Sequence, residues 1–152
     1  MLTGEAIRTL DQRLRLSLPA EMAGALGAEA LIAKERPGCV SLWPRAGWEQ
    51  KQQQTAEIIR QKLASGRLDA RLGDVQRLGR LLSTRERTIP IAGRGRLVIP
   101  EGFRDFLGVD AGGEVVVVGA AVCVELWRPS VWAEVIGQEM PAFRDLLEDL
   151  AR

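Results

Sequence analysis

Asp11-Gln12-Arg13-Leu14-Arg15-Leu16-Ser17-Leu18-Pro19 and Ala92-Gly93-Arg94-Gly95-Arg96-Leu97-Val98-Ile99-Pro100 are two versions of one segment. At an offset of 81 residues Arg13 falls on Arg94, Arg15 on Arg96, Leu16 on Leu97 and Pro19 on Pro100, and Leu26-Gly27 falls on Leu107-Gly108. With three further residues in the second copy the offset becomes 84. Cys39-Val40 then matches Cys123-Val124, Leu42-Trp43 matches Leu126-Trp127, and Trp48 matches Trp132. The rarest residues of the chain, all 4 tryptophans and both cysteines, occupy equivalent positions. An internal duplication is therefore the organising feature of the sequence.

Each copy reads the same way locally. Leu14, Leu16 and Leu18 alternate with Arg13, Arg15 and Ser17, the period-two signature of a half-buried strand that leaves its arginines on the open face. The following proline suits the first position of a short helix, with Glu21 and Glu101 near its positive end. Phe103, Phe106 and Leu107 form one apolar helical face, and Met22 and Leu26 form a thinner one; Gly27 and Gly108 end these helices. A hairpin follows. In the second copy it runs Val115 to Val118, turns near Gly119-Ala120-Ala121 and returns as Val122 to Trp127. In the first it runs Leu31 to Lys34, turns through Arg36-Pro37-Gly38 and returns as Cys39 to Trp43. A unit of this size cannot bury a stable core alone, so the two copies are expected to complete each other across a pseudo-twofold axis.

Between the copies, Trp48 to Ala64 is composed of helix-compatible residues, and Gly66 interrupts them. Leu68, Leu72, Val75, Leu78 and Leu82 then step by three or four, which predicts a second amphipathic helix. A last helix is predicted from near Ser130, and Phe143, Leu146, Leu147 and Leu150 share one side of the acidic segment after Pro141. Such stripes ordinarily pack into a core; here they also suit contacts between subunits. The resulting plan is α+β, with β units over 4–47 and 87–130, a helical connector over 48–86 and a closing helix over 131–152.

Composition narrows the function. The chain has no histidine and no tyrosine, which removes the commonest acid–base residue, and no isolated carboxylate pair stands out. An enzyme with a small-molecule substrate is not expected. Cys39 and Cys123 lie in apolar runs without a CxxC pair, so they read as small buried hydrophobes, and neither a metal nor any other cofactor is expected. No apolar run reaches the length of about 18 residues that a membrane span needs, and Met1-Leu2-Thr3-Gly4-Glu5 lacks a basic, apolar leader, so the expected place is the cytoplasm. Net charge is only +1, but residues 48–87 carry 9 basic and 5 acidic groups while residues 88–152 carry 6 and 10. A basic middle and an acidic end can pair within or between subunits.

The arginine segments also carry a resemblance. Asp11-Gln12-Arg13-Leu14-Arg15 followed by Leu16-Ser17-Leu18-Pro19 is similar to the Asp-x-x-x-Arg, strand, proline signature of the MraZ family, part of the wider SpoVT/AbrB-like group of swapped-hairpin DNA-binding domains. Val75-Gln76-Arg77-Leu78 and the Leu42-Trp43 end of the first hairpin resemble the family too. The resemblance covers nearly the whole chain and implies two AbrB-like swapped-hairpin units in pseudo-twofold arrangement. It further implies ring-like homo-oligomers, and regulation of a division and cell-wall gene cluster through short G-rich promoter repeats in double-stranded DNA, hence a nucleoid-associated protein. The chain departs from the pattern in two places: Ala92 replaces the aspartate in the second copy, and Leu14 replaces the usual glycine in the first.

The chemistry fits DNA. A guanidinium fork bonds guanine O6 and N7 together, worth about 1–3 kcal/mol of discrimination. Arg15 and Arg96 are the candidate base readers, and Arg13 and Arg94, expected on the same strand face, are the candidate phosphate contacts. Alternating arginines are ordinarily a solvated sheet face; repetition of the pair inside the signature favours a site. The Asp11 carboxylate can hold its loop by accepting backbone amides or by pairing with Arg15, whereas Ala92 can do neither, leaving Gly93 and Gly95 to shape the second loop. Arg8, Lys34 and Arg36 could add backbone contacts, though each also reads as an ordinary surface charge. The competing reading is an AbrB-like oligomeric interaction protein that has lost DNA binding. A toxin-neutralising partner of the same fold group fits less well, because a second full unit stands where a disordered tail would be needed.

Overall fold

A computed structural model describes residues 1–152. The first copy contributes β1 (Glu5–Thr9), β2 (Arg15–Ser17), α1 (Ala20–Leu26), β3 (Glu29–Arg36) and β4 (Cys39–Pro44). Two connecting helices follow, α2 (Arg45–Ala64) and α3 (Leu72–Arg85). The second copy supplies β5 (Glu86–Pro90), β6 (Arg96–Val98), α4 (Glu101–Leu107), β7 (Glu114–Gly119) and β8 (Val124–Trp127), and α5 (Pro129–Glu139) and α6 (Phe143–Ala151) close the chain. The α+β class expected from the sequence is present.

Six strands form one antiparallel sheet in the order β1-β7-β8-β4-β3-β5, and β2 pairs with β6 in a separate two-stranded ribbon. Each outer strand belongs to one copy and its neighbour to the other in sequence position: β1 pairs with β7, while β5 pairs with β3. At the sheet centre β4 pairs with β8, with Ser41 opposite Glu125, and in the ribbon Leu16 stands opposite Leu97.

Period-two alternation decides which side chains go where. Ala30, Ile32, Val40, Leu42, Val115, Val117, Val124 and Leu126 point to one face of the sheet and join Leu16, Leu18, Leu97, Ile99, Met22, Phe103 and Leu107 in a core of 20 buried residues drawn from both copies. Each fully buried leucine contributes roughly 1.5–3 kcal/mol, so neither copy could be removed without exposing much of the other. The ribbon, α1 and α4 thus lie over one face. The opposite face carries Cys39, Val116 and Trp127, covered by Val135 of α5.

Several expectations shift. β1 and β5 were not foreseen as strands, and they form the two sheet edges, where Pro90, which has no amide to donate, is tolerated. Pro19 and Pro100 stand one residue before α1 and α4 as caps and do not take the first helical position. The closing helix expected over 131–152 is two helices, broken by a 3-10 turn at Met140–Ala142 where Pro141 cannot donate an amide into the helix ladder. Neither α2 nor α3 buries a residue. Cys39 and Cys123 are buried and free; burial pushes the Cys39 thiol far up and Cys123 up to about 12, so both stay protonated. No helix is long and apolar enough to cross a membrane.

Candidate nucleic-acid interface

The first arginine turn is organised by Asp11. Its Oδ1 accepts the Arg13 amide at 2.8 Å and the Arg15 amide at 2.9 Å, while its Oδ2 accepts Arg15 Nε at 2.8 Å. The Arg15 amide is the main influence holding this carboxyl below its ordinary range, opposed by slight burial and reinforced by the Arg15 guanidinium and the Arg13 amide. Both supports considered from the sequence, amide acceptance and pairing with Arg15, operate together. Only Nε of Arg15 is engaged, so the outer edge of its fork keeps both terminal nitrogens for a ligand.

The second turn reaches a similar shape without a carboxylate. The Ala92 amide donates to the Arg96 carbonyl at 2.8 Å, as the Asp11 amide does to the Arg15 carbonyl at 3.0 Å. Gly95 takes φ +70 and sits where a Cβ would lie 2.8 Å from Ala23 Cβ and 3.0 Å from the Leu18 carbonyl oxygen. That approach of the turn to α1 requires glycine. Gly93 has open space around it and no positive φ, so nothing in its surroundings demands a glycine. Arg94 itself adopts φ 68, and Leu14 adopts φ 61.

These left-handed residues correct one expectation. Arg13 and Arg94 do not share a strand face with Arg15 and Arg96, because the backbone reverses its twist at Leu14 in one turn and at Arg94 and Gly95 in the other. They sit in the turns that lead into β2 and β6.

The ribbon arranges the four arginines. With Leu16 and Leu97 pointing inward, Arg15, Ser17, Arg96 and Val98 point outward on one face. Arg15 stands opposite Val98 and Arg96 opposite Ser17, which makes the two arginines diagonal neighbours about 7–8 Å apart at their Cα atoms. Because the strands are antiparallel, the two turns lie at opposite ends, and the row reads Arg13, Arg15, Arg96, Arg94. Arg13, Arg94 and Arg96 are exposed and have no carboxylate partner.

Of the other basic residues considered, Arg8 reaches the ribbon edge, its Nε donating to the Ser17 carbonyl at 3.2 Å. Lys34 lies 5.3 Å above the Phe103 ring, and Arg36 lies 5.0 Å from the Trp127 ring and 3.6 Å from Glu139, so both are occupied within the fold. Sequence reasoning set Ser17 on the arginine face but overlooked Val98, which is 54% exposed, as a member of it. Counting by two from Arg96 would have found it.

The sequence is similar to known proteins. Residues 85–151 match the family model described as "MraZ protein, putative antitoxin-like". Over 150 residues, 99% of this chain, the sequence is 29% identical to a protein of Moorella thermoacetica and 25% identical to one of Syntrophomonas wolfei, covering 96% of each relative. It is 28% identical to one of Limosilactobacillus reuteri over the same span, covering 97% of that relative. Each of these relatives is named transcriptional regulator MraZ. The alignment runs along nearly the whole chain at modest identity, so over that length the sequence is similar to the MraZ transcriptional regulators.

Proposed function

We propose that this chain is a sequence-specific, DNA-binding transcriptional regulator of the division and cell-wall gene cluster type, working in the cytoplasm on the nucleoid. In this reading Arg15 and Arg96 read guanine edges, Arg13 and Arg94 grip phosphates, and Asp11 and Gly95 shape the turns that present them. One observation carries it: Arg15, half-buried, and Arg96, exposed, are diagonal neighbours on the outward face of a two-stranded ribbon with an arginine turn at each end. The major groove of B-DNA admits a two-stranded β-ribbon, and arginine is its commonest guanine reader. The ribbon and its turns, residues 11–17 and 92–98, hold four arginines and one carboxylate.

The same reading assigns two AbrB-like units, 4–47 and 87–130, that exchange a strand about a pseudo-twofold axis. The strand order supports it, since it reads equivalently from either end, β1 matching β5, β7 matching β3 and β8 matching β4. So does the register, where Leu16 and Leu97, equivalent at the offset of 81, face each other, as do Ser41 and Glu125, equivalent at 84. With so few basic groups per ribbon, affinity comes from several ribbons of a ring-like homo-oligomer engaging successive G-rich repeats.

A mobility-shift assay on duplex DNA from upstream of the protein's own gene cluster tests the proposal. Retention should fall steeply with salt, and Arg15→Ala or Arg96→Ala should each weaken it about 10- to 100-fold. The alternative, an oligomeric interaction protein that has lost DNA binding, is favoured by Ala92 in place of aspartate. Absence of retention even at low salt would establish it.

A further inference from the structure

We propose that the open cleft between α2 and α3 is the seat for helix α6 of a second copy of this chain. The inference rests on the homo-oligomer reading above and deepens it by naming the two surfaces that meet. The cleft has a volume of about 690 Å³ and a floor of Ala56, Ile59 and Leu63 from α2 and Val75, Leu78 and Leu82 from α3. Nothing in the chain fills it, and both helices are without a buried residue. Two helices that face each other across unfilled apolar space form a groove for a third.

Helix α6 has the matching shape. Every residue from Phe143 to Ala151 is exposed, including Phe143, Leu146, Leu147 and Leu150 at 57–79%. Those four occupy positions i, i+3, i+4 and i+7, the anchor spacing of a helix laid in a groove. Solvent exposure of such a stripe is costly, at roughly 25 cal/mol per Å² of apolar surface left in water.

Charge makes the match specific. Helices α2 and α3 carry 7 basic and 3 acidic residues, whereas α6 carries Asp145, Glu148 and Asp149 against Arg144. Lys51, Arg60 and Glu86 line the cleft; Arg60 is paired with Glu57 and Glu86 with Arg85, which leaves Lys51 as the cation without a carboxylate there. Lys51, Lys62, Arg77 and Arg80 lack carboxylate partners within the chain, and so do Asp145 and Glu148 lack cations.

The occupant is a second copy because α6 cannot serve its own cleft. It leaves the body with α5, which packs on β7, whereas α2 packs on β3 and β4 and α3 leads into β5. Groove and helix are different surfaces, so the contact is head-to-tail and repeats until it closes or extends.

Native mass measurement without DNA tests this. Wild type should be a multimer, and Leu146→Asp/Leu147→Asp and Ile59→Asp/Leu78→Asp should each run as a monomer. An equimolar mixture should then yield a species of two copies, one of each variant, because one retains a sound groove and the other a sound α6. That species also proves both variants folded. A monomeric wild type, a variant that keeps the wild-type mass, or a mixture without the paired species overturns the proposal. Since no DNA is present, these outcomes stand apart from success or failure in the mobility-shift assay.

Discussion

Leu14 and Gly95 are equivalent turn residues that meet one requirement differently. Both are left-handed, at φ 61 and φ 70, a conformation that is strained by about 1–3 kcal/mol for any residue with a Cβ. Leu14 offsets that strain by packing its side chain on the core, while Gly95 avoids it and lets α1 approach to where a Cβ would strike Ala23. Gly95→Ala should therefore lower stability by about 2–3 kcal/mol, from backbone strain and steric displacement together. Gly93→Ala, in open space, should stay within about 0.5 kcal/mol. Urea denaturation of the two variants decides the point, and equal losses would refute the close-approach account. Both glycines were legible in the sequence as turn residues. Their ranking was not, because it depends on α1, whose approach no local pattern encodes. Asp11 was legible as the anchor of its loop, because its candidate partners lie within four residues; that it takes the amides and the Arg15 guanidinium together depends on the left-handed turn at Leu14.

Strands β4 and β8 pair at the sheet centre with Ser41 opposite Glu125, and the carboxylate is the less comfortable of the two. Burial pushes the Glu125 carboxyl above its ordinary range; the Trp127 indole N–H at 3.2 Å pulls it back, and Glu35 pushes it further. Arg36 lowers it and Glu139 raises it in turn. A carboxyl raised in the fold binds its proton more tightly folded than unfolded. The protonated form stabilises the fold at low pH, and that stability is lost as pH rises from the ordinary value of 4.5 through the raised one. Glu125→Gln keeps an acceptor for Trp127 and carries no charge, so it should raise Tm at pH 7 by about 2–4 °C. The gain should fade below about pH 4.5, and a lower Tm at pH 7 would refute the argument. Val115 to Val118 and Leu31 to Lys34 were legible as strands because apolar β-branched or alternating runs name themselves. Glu5-Ala6-Ile7-Arg8-Thr9 and Glu86-Arg87-Thr88-Ile89-Pro90 were not, because short, charged segments become strands only through the edges of β7 and β3 that receive them. Their partners lie across the duplication, where local sequence is silent.

The duplication makes the whole molecule legible in outline, since equivalent tryptophans and cysteines place two units in register. What it left open was how the copies share one core, and where the helices that bury nothing would spend their apolar faces. Those helices bear on DNA binding as well as assembly. One ribbon with four arginines neutralises few phosphates, and each phosphate contact adds only a modest, salt-sensitive increment. Joined copies turn every binding event after the first into an intramolecular one, which raises avidity by about 10²- to 10⁴-fold without a new contact. Leu146→Asp/Leu147→Asp lies on α6, far along the chain from both arginine turns, and leaves the ribbon untouched. The variant should therefore bind a duplex with one G-rich repeat about as well as a wild-type subunit does. On a fragment with several repeats it should bind at least about 100-fold more weakly than wild type. Titration of both duplexes at one fixed salt concentration measures the ratio. Equal losses on the two would mean that α6 touches DNA or supports the ribbon directly, and the case for many weak grips acting together would fall with it.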